Sequence, residues 1–333
     1  MNFGDRKDIL VFIEQKDGKM LKAGLESLTP ARILGQHSGG KVLALLIGSE
    51  HKNRDKYLSG LGADKIISIQ GKPFTDGCAD AFLYALHQVV EKYAPAAILA
   101  ADTPFGRELT ARLAAKESIG CIHGALDLHM KEHMPVWTLQ AYGGTVLNDV
   151  APNTVPFTVT VRSGAFRKPE PSGKEVQITE ESIAVPEGNI RAKVIESVKE
   201  ISEEVNLEDA KIVVSGGRGM GSKENFALVE SLAKVLGGVV GATRPAIESG
   251  WISRAHQVGQ SGKTVKPALY IACGISGAVQ HLSGMEGSGY IVAVNKDEDA
   301  PIFDIADAGI VGDAAQVLPV MIEEIKKHKA DVK

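Results

Sequence analysis

The stretch Val258-Gly-Gln-Ser-Gly262, followed by Ala268-Leu-Tyr-Ile-Ala272 and Cys273-Gly-Ile-Ser-Gly-Ala-Val-Gln-His281, decides the fold. It reads as loop, buried strand and glycine-rich turn. A short apolar run bounded by proline and glycine suits a strand covered on both faces, and Gly274 and Gly277 let backbone amides approach a ligand closely. Amides leaving a sheet at a helix start carry positive partial charge, so a pyrophosphate would sit against Ser276 and Gly277. One such turn is only a tight connection. Two further copies change that: Ile212-Val-Val-Ser-Gly-Gly-Arg-Gly219 and Val239-Val-Gly-Ala-Thr-Arg-Pro245 are again apolar runs that end in glycine and arginine. Three strand ends, each delivering a small or cationic group, describe the carboxyl edge of a parallel sheet, where open α/β folds bind nucleotides.

The common nucleotide fingerprints are absent. Gly217-Arg-Gly219-Met-Gly221-Ser222 puts serine where the last glycine of G-x-G-x-x-G should fall, and there is no Walker A pattern. His129-Met-Lys-Glu-His133 matches a zinc-peptidase pattern that needs both imidazoles on one helical face. Here Pro135 closes the segment between β-like runs, so a solvated turn is the expectation, and His123 is expected to be structural as well. Cys78, Cys121 and Cys273 are isolated, which excludes an encoded disulfide framework or iron–sulfur centre and leaves packing as their role.

At 333 residues and 44% apolar content the chain is long enough for two domains with their own cores. A net charge of only −4 lacks the basic stripe of a nucleic-acid binder, and the apolar runs are too short to cross a bilayer. The first residues carry no apolar signal core or presequence character, so the chain reads as cytoplasmic.

Along the chain, Asp8–Ile13, Lys41–Ile47, Gly62–Ser68 and Ala96–Ala101 read as strands. They alternate with helical segments, one broken at Pro30, one from about Thr75 to Lys92, and one opened by Thr103-Pro104 and ending near Glu117. Val136–Ala141, Thr145–Val150 and Thr154–Val161 read as added antiparallel strands, and the polar segment Ser163–Asp209 as a connection, part extended and part helical. From Lys211 strand and helix alternate again, to a last helix capped by Asp313. The expectation is α/β throughout: two domains, each a mostly parallel sheet flanked by helices, residues 1–204 with the added strands and linker and residues 205–333 as a Rossmann-like nucleotide domain joined near Val205.

Ser215-Gly-Gly-Arg-Gly219, Gly241-Ala-Thr-Arg244, Gln257-Val-Gly-Gln-Ser-Gly262, Gly274-Ile-Ser-Gly-Ala-Val-Gln-His281, Asn295-Lys-Asp297 and Ala300-Pro-Ile-Phe303 together resemble the FAD domain of electron transfer flavoprotein α subunits. The match runs from about Lys211 to the end; in the first half it rests on Phe105-Gly-Arg-Glu-Leu109 and Arg112-Leu-Ala-Ala115. The resemblance implies FAD as cofactor, held by Arg218, Thr243, Arg244, Gln257, Val258, Gly259, Gln260, Ser261, Ser276, Gly277, Ala278, Val279, Gln280, His281, Asn295 and Asp313. Within that set it implies Arg244 against the flavin ring, His281 at its N1 side, Ser261 near N5, Gln260 and Thr243 around the ring, Arg218 and Ser276 to Gln280 along the ribityl and phosphate path, and Asn295 and Asp313 at the adenosine end. Arg244 and His281 both end apolar runs at one sheet edge, so both are expected to act as cations there. Plainer roles stand beside these: Arg218 pairing with an acid, Asn295 capping a strand, Asp313 capping a helix.

The resemblance also implies partners: an electron transfer flavoprotein β subunit, an acyl-CoA dehydrogenase or related flavoenzyme and, in the electron-bifurcating branch, ferredoxin or flavodoxin. In that branch NADH reduces a second FAD in β; in the conventional branch β holds an AMP. Trp251-Ile-Ser-Arg-Ala-His256 looks more like the bifurcating branch. An electron carrier needs no acid, base or nucleophile, and no catalytic residue is expected in it. An NAD-dependent dehydrogenase and a nucleotide-binding sensor are the rival classes; the broken fingerprint counts against the first, and bound yellow chromophore would exclude both.

Overall fold

The computed structural model describes residues 5–16, 19–48, 58, 60–75, 77–144, 146–170, 176–192, 206–208 and 210–331. The chain divides into two compact units, Met1–Val198 and Lys199–Lys333. The expected junction near Val205 lies outside the described residues.

The first unit is built on β1 (Ile9–Phe12), β2 (Gln15–Lys16), β3 (Lys19–Met20), β4 (Val42–Gly48), β5 (Lys65–Gln70), β6 (Ala97–Ala101), β7 (Gly120–Lys131), β8 (Met134–Ala141), β9 (Val146–Val150), β10 (Phe157–Val161) and β11 (Gln177–Glu181). Apart from the β2–β3 hairpin they form one nine-stranded sheet in the order β11-β5-β4-β1-β6-β10-β7-β8-β9. Successive residues of β1 point to opposite layers, Ile9 and Val11 into one core and Leu10 and Phe12 into the other, which is why the strand reads as an unbroken apolar run. Helices α1 (Lys22–Glu26), α2 (Leu28–Ser38), α3 (Ala79–Tyr93) and α4 (Pro104–Glu117) accompany the sheet. Thr103 Oγ1 accepts the Gly106 amide at 2.9 Å, the cap that Thr103-Pro104 predicts. Pro30 does not end a helix but sits in the first turn of α2, where no amide hydrogen is needed.

Two strand expectations are corrected. Residues 120–131 form β7, paired antiparallel with β8, and the turn of that hairpin is made by Glu132 and His133 at positive φ. His129 lies in the strand and His133 in the turn, so the two imidazoles share no helical face. The segment 157–161 is not an added antiparallel strand: β10 lies between β6 and β7, parallel to both. Part of the expected connection, β11, is a parallel edge strand beside β5.

The second unit is a five-stranded parallel sheet, β12 (Ile212–Gly216), β13 (Val239–Ala242), β14 (Leu269–Cys273), β15 (Ile291–Asn295) and β16 (Ala308–Val311), in the order β13-β12-β14-β15-β16. Its helices are α5 (Lys223–Leu236), α6 (Arg244–Glu248), α7 (Val279–Leu282) and α8 (Ala314–Asp331). Phe226, Val229, Leu232 and Ala233 form the buried stripe of α5, at spacings that return to one helical face. In α8, Leu318 and Ile322 are buried, and Val317, Met321 and Ile325 pack beside the same core. The chain leaves β12 for β13 on one side and returns with β14 on the other, so the strand order reverses between β12 and β14. Such a switch point opens a crevice at the carboxyl ends of the strands.

Candidate functional site

The crevice is where the glycine turns meet. Gly217 N donates to Cys273 O at 2.9 Å and Gly219 N to Gly274 O at 2.9 Å, so the loops after β12 and β14 are bonded backbone to backbone. Side chains would prevent this approach: a Cβ on Gly219 would lie 2.6 Å from Gly274 O, and one on Gly217 would lie 2.4 Å from it. The Val258–Gly262 loop is pinned to the same edge, Val258 N donating to Ala242 O at 2.9 Å and Gln260 N to Gln280 O at 2.7 Å. Together these loops wall a cavity of about 900 Å³.

The cavity brings together most of the expected residues: Arg218, Thr243, Arg244, the run Gln257, Val258, Gly259, Gln260 and Ser261, then Ser276, Ala278, Gln280, His281 and Asn295. Three are not in its wall. Gly277 is buried behind it at φ +91°, where a Cβ would lie 2.3 Å from Ile302 N, so the Ala300–Phe303 turn approaches its backbone directly. Val279 is 47% exposed. Asp313 Oδ1 accepts the Ala315 amide at 2.9 Å and so caps α8. Asn295 is engaged at the strand end, its Nδ2 donating to Ile275 O at 2.9 Å and its Oδ1 accepting from Asp297 N at 3.0 Å. Ile275, Pro245, Lys296 and Asp297 also line the cavity and were not singled out; Lys296 and Asp297 were visible in the Asn295-Lys-Asp297 motif.

Of the two expected cations, Arg244 keeps its charge and His281 does not. Arg244 opens α6 with its side chain 68% exposed and gives its Nε to Glu248 Oε1 at 2.7 Å. It is a solvated, paired cation at the cavity wall, not a buried one. His281 is buried and not a cation. Burial pushes its pKa down to about 4, against a smaller opposing effect of the Val258 carbonyl. Its Nδ1 lies 3.0 Å from Val258 O and its Nε2 lies 3.0 Å from the hydroxyl of Tyr270. A carbonyl only accepts, so Nδ1 carries the hydrogen; burial raises the pKa of Tyr270, which keeps its phenol protonated and donating to Nε2. Sequence reasoning missed the part of Tyr270, which is not in the cavity wall but belongs to the strand interior and meets His281 only through the fold.

Two residues of the wall carry hydroxyls with hydrogen-bonding capacity to spare. Ser261 Oγ accepts from Gln257 Nε2 at 2.8 Å, which leaves its own hydrogen available. Thr243 Oγ1 is buried with no hydrogen-bond partner among the described residues, although Thr243 lines the cavity. A buried hydroxyl without a partner costs roughly 1–3 kcal/mol, and a polar ligand group would remove that cost. Trp251, in contrast, packs on Phe226 with ring centroids 6.1 Å apart, and His256 Nδ1 lies 2.7 Å from Val240 O. The 251–256 motif therefore has structural work independent of any redox branch.

Fold and site define an α/β protein with a nucleotide-cofactor cavity at the switch point of its second sheet. Comparison with known proteins narrows this. The family model for the electron transfer flavoprotein FAD-binding domain matches residues 206–286, and that for the electron transfer flavoprotein domain matches residues 9–186. Electron transfer flavoprotein subunit alpha of Thermoanaerobacterium thermosaccharolyticum is 43% identical over 331 residues, covering 98% of this chain and 99% of that one. Protein FixB of Clostridium saccharobutylicum is 41% identical with 98% of each covered, and acryloyl-CoA reductase electron transfer subunit beta of Anaerotignum propionicum is 38% identical with 97% of this chain and 96% of that one covered. The chain belongs to the electron transfer flavoprotein α-subunit family; its role is electron transfer and its cofactor is FAD. Among the described residues no helix is long and apolar enough to cross a membrane.

The residues present fit FAD. The Gly217–Gly219 and Gly274 loops pack backbone to backbone in the cavity wall, Thr243 carries an unpaired buried hydroxyl, and Arg218, Arg244 and Lys296 outnumber Asp297 among the charged groups of the wall.

Proposed function

We propose that this chain is the FAD-bearing α subunit of a heterodimeric electron transfer flavoprotein, that the cavity at the β12–β14 switch point holds the FAD, and that the chain passes electrons between a β subunit and a flavoenzyme acting on CoA thioesters. The observation that carries this is the wall itself: the loops after β12, β13 and β14 converge with the Val258–Gly262 loop on one cavity. The printed name of the Anaerotignum relative, an electron transfer subunit of an acryloyl-CoA reductase, supports an acyl-CoA dehydrogenase-type partner.

When bound, FAD supplies a ring system that takes up and releases one or two electrons. Ser261, oriented by Gln257, and Thr243 offer hydrogen bonds to the ring, and Arg244 brings a positive charge that favours its reduced, negatively charged forms. Arg218 and the backbone at Ser276 to Ala278 accommodate the phosphates. His281, held by Tyr270 and Val258, shapes the wall as a neutral group. Of the two branches we propose bifurcation, with NADH reducing a flavin in β and ferredoxin or flavodoxin taking the second electron; its support is the likeness of Trp251–His256 to that branch, beside the packing work those residues do.

The test is to purify the chain with its β subunit, count FAD and AMP per heterodimer, and add NADH with and without ferredoxin. Two FAD and NADH-driven ferredoxin reduction support bifurcation. One FAD and one AMP place the protein in the conventional branch, accepting electrons from acyl-CoA dehydrogenases. A colourless heterodimer would refute the site assignment.

A further inference from the structure

The first unit carries a cluster of titratable groups for which electron carriage has no use. Asp102 follows β6 and Thr160 lies near the end of β10, while Cys121 and His123 lie near the start of the neighbouring parallel strand β7. Their hydrogen bonds fix where each proton is.

The side chain of Asp102 is 3% exposed and receives Arg107 Nε on Oδ1 at 2.7 Å and Nη2 on Oδ2 at 2.5 Å. Burial works against its charge, but the bonds from Arg107 and Thr160 outweigh it and hold the carboxyl below its usual pKa. An ionised carboxylate only accepts, so the 2.5 Å contact from Thr160 Oγ1 uses the one hydrogen of that hydroxyl. Only lone pairs of Oγ1 then remain for its other neighbours. Gly124 N donates to it at 3.0 Å, and His123 Nδ1, at 3.2 Å, must donate as well. That places the imidazole hydrogen on Nδ1 and leaves Nε2 bare, 3.1 Å from Sγ of Cys121. Burial lowers the pKa of His123, Asp102 opposes this and Arg107 adds to it, so the ring is a neutral base near pH 7. Cys121 is exposed, so packing does not account for it.

We propose that Cys121 is a modification site, a nucleophilic thiol that His123 deprotonates and that undergoes exchange with low-molecular-weight disulfides. The Cys121 proton passes to His123 Nε2, and Sγ attacks one sulfur of the disulfide R–S–S–R. The Cys121–S–S–R bond forms, R–S⁻ leaves and takes the proton from His123. Cys121 is oxidised to the mixed disulfide and R–S is reduced to its thiol, so no further oxidant enters. Asp102 and Thr160 act as positioning residues that set the tautomer of His123. This rests on the first unit alone and stands apart from the FAD assignment.

The test uses the full chain with its FAD and a chromogenic bis(nitrobenzoate) disulfide at pH 7. His123 serves as general base while Sγ attacks, so the gain is read in the rate of exchange. Cys121 should react about tenfold faster than N-acetylcysteine, with the adduct mapped to Cys121 by mass spectrometry. Cys121→Ser should abolish the fast phase, His123→Asn should bring it to the reference rate, and Thr160→Val should slow it several-fold with unchanged FAD content. Ring-nitrogen NMR of the unsubstituted chain should find hydrogen on Nδ1 of His123. The proposal is overturned by a Cys121 rate no faster than the reference, by an unchanged rate in folded His123→Asn, by a fast phase that maps to Cys78, or by an Nε2-protonated His123.

Discussion

Lowering the pH should destabilise the second unit through His281 in particular. Burial holds its pKa at about 4, whereas an unfolded histidine titrates near 6.5. Between these values the unfolded chain binds the proton and the folded chain does not. The contribution to stability is therefore fully present above about pH 6.5 and is lost as the pH falls towards 4. At about 1.36 kcal/mol per pH unit, the gap corresponds to about 3 kcal/mol, an order-of-magnitude figure for a buried group. His281→Asn removes the titrating ring. Urea unfolding of the FAD-free chain, followed for the second unit at a series of pH values from 7 to 4, should show the unsubstituted chain losing about 3 kcal/mol more than the variant. Ring-nitrogen NMR should find His281 neutral, with hydrogen on Nδ1, down to about pH 5. Parallel stability curves, or a His281 that titrates near 6.5, would refute the reasoning and restore this histidine as a cation of the cavity.

Arg244→Ala should lower the first reduction potential of the bound FAD by only about 10–40 mV, because an exposed ion pair contributes roughly 0.2–1 kcal/mol and 59 mV corresponds to about 1.4 kcal/mol for one electron; potentiometry on the heterodimer measures it, and a drop above about 100 mV would mean that the guanidinium leaves Glu248 for the flavin. Thr243→Val should leave the FAD-free chain as stable or more so, since an unpaired buried hydroxyl is removed, yet weaken FAD binding by about 1 kcal/mol, roughly fivefold; fluorescence titration with FAD decides it, and unchanged affinity would detach Thr243 from the cofactor. Asp313→Ala should cost about 1 kcal/mol in thermal or urea unfolding by loss of the α8 cap, with FAD affinity unaltered; weakened FAD binding would instead give Asp313 the adenosine role.

The strand ends of the second unit were legible because parallel strands buried on both faces read as apolar runs, and the turns that follow them need glycine wherever two backbones touch. The pairing of Arg244 was also written in the chain, since Glu248 stands four residues on, one helical turn away. The charge of His281 was not: it depends on burial and on a phenol 11 residues earlier that only the fold brings to 3.0 Å. In the first unit β7 escaped notice because exposed and charged residues interleave its apolar ones, as in a strand half open to solvent. The direction of β10 escaped for a different reason, since a short buried run such as Phe157-Thr-Val-Thr-Val161 looks the same parallel or antiparallel.

The position of β10 has a consequence for synthesis of the protein. Its neighbours on both sides, β6 and β7, are complete by residue 131, but the strand that joins them ends at Val161. A growing chain that has passed the β7–β8 hairpin but not Phe157 therefore carries two sheet fragments, each with an unpaired strand edge, and that of β6 is wholly apolar. The outermost parallel pairing, of β11 with β5, links residues more than a hundred positions apart and comes later still. Closure of this sheet is thus governed by long-range pairings, which form slowly, and a ribosome that stalls between the two points would leave a fragment far more prone to aggregate than one that stops after residue 161.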